Sequence, residues 1–252
     1  ANLVLTSAGA NFYGGINNMK FPVFSGMTST FVSEDGSSGT VSTNGTTSAV
    51  TLSPKKLISI VNMSQESMVQ STGLEAALQR NMAANIAATM ESAFLANDDV
   101  TNAPTSLFKD ATSAGTSAID VAVIQKMETH LLAANVALEG ARIAYILNPA
   151  AYAEVKSLAQ VSNVSAIYDN ADKRLNGYFS FITSNLNSGG TAAKDAVLFG
   201  DFSKVHVAQF GGLDILFDPF TNSATGVPRM VITSLVDAAA VQASTFQKSL
   251  EA

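Results

Sequence analysis

The stretch Gly36–Pro54, GSSGTVSTNGTTSAVTLSP, carries no charged and no aromatic side chain and offers almost nothing to bury. Structureless loops much beyond ~12–15 residues are uncommon inside compact domains, so this segment constrains what the rest of the chain can be. Two strand-forming stretches flank it. Phe21–Glu34 contributes Phe21, Val23, Phe24, Thr28, Thr30, Phe31 and Val32, and Lys55–Ser64 contributes Leu57, Ile58, Ile60 and Val61, a β-branched and aromatic mix that favours strands. The Asn44-Gly45 pair between them is a strong tight-turn signal. The pattern predicts a long hairpin with its tip near Asn44. A lone two-stranded ribbon is marginal in water, so this one is expected to lie on another molecule, above all another copy of the chain.

Composition points the same way. Charged residues make up 13% of the 252 residues, against about 25% in ordinary soluble domains, which suggests that much of the surface is buried between subunits. A length of this order allows one large domain or two modest ones. With 14 Lys and Arg against 20 Asp and Glu, the net charge is −6, a poor match for phosphate-backbone binding, which relies on clustered cations. No cysteine is present, so there is no disulfide framework and no thiolate metal site. No run of eighteen apolar residues predicts a transmembrane helix, and the first residues lack the basic start and apolar core of a signal peptide. The start at Ala1 is read as removal of an initiator Met or cutting of a longer precursor.

Residues 1–19 place Leu3, Val4, Leu5, Phe12, Tyr13 and Ile16 in a Gly/Asn/Ser background and read as an extended arm with anchor points rather than a core element. After Ser71-Thr72, the residues Leu74, Leu78, Met82, Ile86, Met90 and Phe94 recur every four positions, predicting a helix over about 73–96 whose stripe drifts ~40° per step. Thr72 and Glu75 fit a capping box. A second helix is expected over Ser117–Ala137, a buried strand over Arg142–Leu147, and a helix opened by Asn148-Pro149 and running to about Gln160. Strands are expected at Tyr178–Thr183 and Ala196–Gly200, over Val205–Phe217 with a break at Gly211-Gly212, and at Met230–Val236. The order of elements is α+β, with an α/β portion in the middle.

No catalytic or metal constellation stands out. His130 and His206 lack a second ligand at metal spacing and are read as hydrogen-bonded or solvated. Ser53-Pro54-Lys55-Lys56 offers a Ser-x-x-Lys spacing, but at a strand entrance rather than a helix start. The acidic pairs Asp98/Asp99, Asp169/Asp172 and Asp214/Asp218 lack a Ca²⁺-loop pattern and are expected to be solvated or paired with Lys and Arg. Lys173-Arg174 is expected to meet carboxylates of a neighbouring subunit.

Five segments in this order resemble the major capsid protein of tailed double-stranded-DNA bacteriophages. FVSEDGSS (Phe31–Ser38) resembles the entry to that family's extended loop, and LSPKKLISIVNMSQESM (Leu52–Met68) the strand returning from it. Leu74–Ala96 resembles its long spine helix, YILNPAAYAEVKSL (Tyr145–Leu158) the strand-Asn-Pro-helix of its central subdomain, and LFGDFSKVHVAQFGGLDI (Leu198–Ile215) its Gly-Asp-Phe strand. The resemblance implies an arm at 1–19, an extended loop at 34–54, a peripheral domain at 20–33, 55–112 and 203–243, and an axial domain at 113–202 and 244–252. It implies subunit-interface residues Glu34, Asp35, Val41, Asn44, Gly45, Val50, Lys55 and Lys56 in the loop and its base, and Leu3, Leu5, Phe12 and Tyr13 in the arm. Some members cross-link the loop through a Lys–Asn isopeptide bond; here no Lys lies between Met27 and Pro54, so no covalent cross-link is expected.

The function expected from the resemblance is a structural subunit of an icosahedral capsid, forming hexamers and pentamers around double-stranded DNA contacted non-specifically. It would be made in the bacterial cytoplasm and end in the virion. Its expected partners are copies of itself, with scaffolding, portal and decoration or cementing proteins, and no cofactor, metal or membrane. A start at Ala1 fits loss of a scaffolding segment. Two alternatives stand beside it: an encapsulin-like bacterial compartment enclosing enzymes, and a soluble α/β enzyme with a mobile loop over its site.

Overall fold

The computed structural model describes residues 3–15, 17–25, 31, 34, 46–70, 73–116, 118–134, 136, 142–158, 167–186, 194–222 and 225–251. The chain opens with a short helix α1 (Val4–Ala8) and a strand β1 (Asn11–Gly14). Strands β2 (Met19–Ser25), β3 (Thr46–Leu52) and β4 (Lys55–Asn62) follow, then α2 (Gln65–Gln70) and the long α3 (Leu74–Phe94). The middle of the chain forms α4 (Leu107–Asp110), β5 (Thr112–Gly115), α5 (Val121–Ala133), β6 (Ile143–Leu147) and α6 (Pro149–Ser157). The described residues of the last part form strands β7 (Tyr168–Asp169), β8 (Arg174–Leu175), β9 (Tyr178–Ile182), β10 (Ala196–Asp201), β11 (Val205–Gln209), β12 (Asp214–Asp218), β13 (Arg229–Ala240) and β14 (Phe246–Leu250), with short 3₁₀ turns at Phe202–Lys204 and Ala243–Thr245.

Three sheets form among the described residues. The five-stranded sheet is built on β13, the long strand expected around Met230–Val236. Its antiparallel partner β4 runs from Arg229↔Asn62 to Val236↔Lys55. The other edge of β13 is shared by β12, paired at 229–233, and β11, paired at 236–240. The break at Gly211-Gly212 therefore divides one edge into two strands, and β1 completes the sheet in parallel with β11. Alternation decides which face is covered: Leu57 and Val61 of β4 and Met230 and Ile232 of β13 pack against Met82 and Ile86 of α3.

The seven-stranded sheet runs β5-β14-β10-β6-β9-β8-β7. Every residue of β6 and β10 is buried, as expected of strands covered on both faces. On one face Ile143, Tyr145, Leu147, Val197 and Phe199 meet Ile124, Met127 and Leu131 of α5 and Val155 of α6. On the other, Ala144, Ile146 and Leu198 join Leu5, Phe94, Phe108, Val207 and Phe246 in a core that also draws on the five-stranded sheet. Gly200 faces Phe246 across the β10–β14 pair; a Cβ there would meet the Phe246 ring and lie 2.6 Å from the Thr245 carbonyl oxygen. Asn148 caps α6 as expected, its Oδ1 accepting from the Ala151 amide at 2.8 Å. That same oxygen accepts from the Ala196 amide at 3.2 Å, tying the helix start to β10.

Three expectations need correction. The hairpin's return arm is β3, not Lys55–Ser64: Met19–Ser25 pairs with Thr46–Leu52, while Lys55–Asn62 belongs to another sheet. Thr46, Thr47, Val50 and Thr51 give the uncharged stretch enough β-branched character to form a strand, and Pro54, without an amide donor, marks the corner between β3 and β4. The N-terminal residues are not a simple extended arm, since Val4–Ala8 is helical and Leu5 is buried in the main core. The cap of α3 is Gly73 at φ +86°, a conformation that favours glycine. Thr72 lies outside the described residues, and the Glu75 carboxyl accepts from Gln79 at 3.4 Å.

Candidate assembly interface

The residues expected at the loop and its base fall into three groups. Asp35, Val41, Asn44 and Gly45 lie outside the described residues. Glu34 is exposed, as is Phe31, the other described residue of that stretch. Val50 is half-buried in β3 opposite Phe21. Lys56 is exposed on the sheet face away from α3.

Lys55 is engaged within its own chain. Its Nζ donates to the Ala103 carbonyl at 2.8 Å and lies 3.4 Å from Oδ1 of Asp237. Asp237 is buried, and its Oδ2 accepts from the Ser53 amide at 2.9 Å. A single carboxyl on β13 thus holds the corner at which the hairpin leaves the sheet. Val50, Lys55 and Asp237 line one cavity of about 260 Å³ together with Phe94 and Asp110. Asp237 was not singled out from sequence. The signal was a lone acidic residue in the otherwise uncharged run MVITSLVDAAA.

The arm residues divide as well. Leu5 is wholly buried, and its amide donates to Oε1 of Glu91 at 3.0 Å. Glu91 is itself buried, with Oε2 accepting from Asn185 Nδ2 at 2.8 Å. Sequence reasoning passed over Glu91 because it sits among the alanines of a regular helix. Leu3 and Phe12, by contrast, line an apolar recess of about 190 Å³ against Ile86 and Met90 of α3. Phe12 remains 44% exposed.

Tyr13 belongs to an aromatic cluster that joins β1, β2 and β11. Its hydroxyl lies 3.1 Å from Nδ1 of His206, and the Phe21 ring stacks on that imidazole at 4.1 Å. Burial, aided by the Lys204 charge, holds the His206 pKa below its ordinary value of 6.5. His130 meets Gln247 at 3.1 Å. Both histidines are hydrogen-bonded, as read from sequence. The acidic pairs follow expectation at Asp99, paired with Lys109, and at Asp218, 2.9 Å from Arg229 Nε. Arg174 donates to the Gly177 carbonyl at 2.7 Å and its guanidinium lies 4.1 Å over the Phe179 ring.

Among the described residues, no three His, Cys, Asp or Glu side chains cluster to hold a metal. Among the described residues no helix is long and apolar enough to cross a membrane. What the surface does offer is apolar area at the hairpin (Phe24, Phe31), on β4 (Ile58, Ile60) and along β12 (Leu216, Phe217). Exposed apolar surface of this extent is a mark of association.

Comparison with known proteins gives one family and one fold. The sequence model described as the phage capsid family matches residues 3–249. The capsid of a native GTA particle superposes with a TM-score of 0.76 at 18% identity, covering 100% of this chain and 91% of that one. A structure from Mycobacterium phage Bobi gives 0.76 at 13% identity, covering 100% and 91%, and one from Gordonia phage Cozz 0.72 at 13%, covering 99% and 86%. At these identities the likeness establishes the fold. Comparison with curated proteins gives no match.

Proposed function

Because this chain belongs to the phage capsid family, we propose that it is a shell subunit whose hairpin is completed by a neighbouring copy. The observation that carries this reading is the β2–β3 ribbon. Those two strands pair with each other and form a sheet of their own, and a two-stranded ribbon is marginal in water by itself. Phe24 on one arm and Phe31 beyond it are exposed. A second copy lying under or over the ribbon would cover both.

On this reading the chain forms hexamers and pentamers that close around double-stranded DNA in the bacterial cytoplasm. Glu34, Asp35, Val41, Asn44, Gly45, Val50 and Lys56 face a neighbour, Leu3 and Phe12 form a second contact around the recess on α3, and Tyr13 contributes from the other face of the sheet, beside His206 and Phe21. Lys55 acts at the base through Asp237 rather than across the boundary. On this reading the five-stranded sheet with α3 is the peripheral domain and the seven-stranded sheet with α5 and α6 the axial domain, while the ribbon takes β3 from the loop at 34–54 and β2 from the stretch assigned to the arm and peripheral domain. No Lys lies between Met27 and Pro54, so the shell is held without a covalent loop cross-link. Scaffolding, portal and cementing proteins complete the particle, and the subunit itself has a structural, not a catalytic, role.

The test removes residues 36–43, leaving both strands of the ribbon intact. The shortened subunit should keep the wild-type circular dichroism and melting curve yet form no closed shells by electron microscopy. Normal shells from this deletion would refute the role assigned to the loop.

A further inference from the structure

The recess of about 190 Å³ between α3 and the five-stranded sheet contains a buried hydroxyl with nothing to bond. The space follows from residue size on its two walls. On α3, Met82 and Ile86 pack on the sheet, while Ala83 and Ala87, one position further on, give the recess only methyl groups. On β13, alternation turns Met230, Ile232 and Ser234 toward the helix, and the third of these places holds a hydroxymethyl group where the first two hold large apolar chains. The exposure of Phe12 and Leu213, both lining residues, marks where the recess opens.

Ser234 is 2% exposed, and its Oγ has no hydrogen-bond partner among the described residues. Buried polar groups are nearly always paired, so an unpaired hydroxyl on the wall of a cavity is open to a guest. The half-buried Gln209 is the other polar side chain of the lining, and the rest is apolar. A buried water typically makes about three hydrogen bonds to its surroundings. These walls suit instead a guest with an apolar body and one polar group.

We propose that the recess binds a small free phenol, one aromatic ring with one hydroxyl, its ring between Ile86, Met90 and Val207 and its hydroxyl on Ser234 Oγ. Size selects a single ring: an apolar cavity of about 150 Å³ takes up benzene, and the recess is larger by roughly the room of one substituent. Rigidity selects a ring over an alkyl alcohol of equal volume, because the ring has no internal rotations to lose on binding. Met90 and Phe12 favour an aromatic neighbour, through sulfur–ring and ring–ring contacts. A bound phenol joins Phe12 of β1 to α3 and stabilises the folded subunit by mass action. The inference concerns a single subunit and goes beyond the capsid reading; failure of either leaves the other standing.

The test follows 4-fluorophenol and fluorobenzene by fluorine nuclear magnetic resonance in titrations of the unassembled full-length subunit. 4-Fluorophenol should bind saturably with a Kd below about 5 mM, and fluorobenzene, which lacks the hydroxyl, about fivefold more weakly. Ser234→Ala keeps the cavity and removes the hydroxyl, so it should bind both probes about equally. It should also melt at or above the wild-type temperature, since no protein hydrogen bond is lost. Ala87→Leu fills the recess and should bind neither probe. No saturable binding to wild type, equal binding of the two probes by wild type, an undiminished preference for 4-fluorophenol in Ser234→Ala, or undiminished binding by folded Ala87→Leu would each overturn the inference. The wild-type and Ser234→Ala titrations decide the matter even where Ala87→Leu does not fold.

Discussion

Glu91 joins three parts of the chain that are far apart in sequence. Its two carboxyl oxygens take the Leu5 amide and the Asn185 side chain, so α1 is bound to the end of α3 and to the loop after β9. Removing a buried acceptor leaves its donor unsatisfied, at a cost of about 1–3 kcal/mol. Glu91→Ala should lower the stability of the unassembled subunit by that amount in urea unfolding, and Glu91→Gln, which keeps an oxygen for the Leu5 amide, by less. Equal stability of all three proteins would show that α1 is held by packing alone. His206 makes a second prediction. Its folded-state pKa is lowered, chiefly by burial, so on acidification the unfolded chain takes up the proton first, near 6.5. Its contribution is complete above that pH and is lost as the pH falls from about 6.5 to the lower folded value, below which both states are charged and no more is lost. A nuclear magnetic resonance titration of the ring should give a midpoint below 6.5, and His206→Phe should flatten the pH dependence of stability just below it. A midpoint at or above 6.5 would contradict this account.

Among elements, the corner between β3 and β4 shows most clearly how sequence and structure diverge. The Asn148-Pro149 helix start, the buried strand before it and the presence of β13 were readable because their signals are local: a cap with Pro behind it, or a largely apolar run; β13 itself extends past the expected Val236 to Ala240. The partner of β2 was not. Both Thr46–Leu52 and Lys55–Asn62 can form strands, and what separates them is long-range: β13 pairs with Lys55–Asn62 along its length, and Asp237, some 180 residues away, accepts the Ser53 amide and lies beside Lys55 at the corner. The arm was misread for the same reason: what buries Leu5 is a core assembled from both large sheets and the end of α3. Of the assigned interface residues, Leu3 and Phe12 come together in one recess, whereas Leu5 and Lys55 are satisfied at home. Asp237→Ala should cost about 1 kcal/mol or more, since the half-buried Ser53 amide loses its acceptor and Lys55 its ion pair. It should also speed hydrogen exchange at Leu52 and Ser53 while leaving β6 and β10 unchanged. Uniform acceleration across the molecule would mean that the corner has no local role.

At the scale of the whole molecule, one core serves two sheets. Leu5, Phe94, Phe108, Leu198, Val207 and Phe246 fill the space between the five- and seven-stranded sheets, so the two large parts of the subunit share their main apolar cluster. The ribbon of β2 and β3 forms a sheet of its own, anchored at its base where Leu52 is buried with Ala208 and Phe210 and Phe21 stacks on His206. A chain with 13% charged residues, exposed apolar residues on β4 and β12 and an exposed Phe24 on the ribbon leaves apolar surface for neighbours to cover, and the phage capsid family supplies the context in which they do. Light scattering behind size exclusion, with negative-stain images of the same fractions, tests this most directly. The account predicts rings of five or six subunits, or closed shells tens of nanometres across. A stable monomer near 26.1 kDa at every concentration would contradict it.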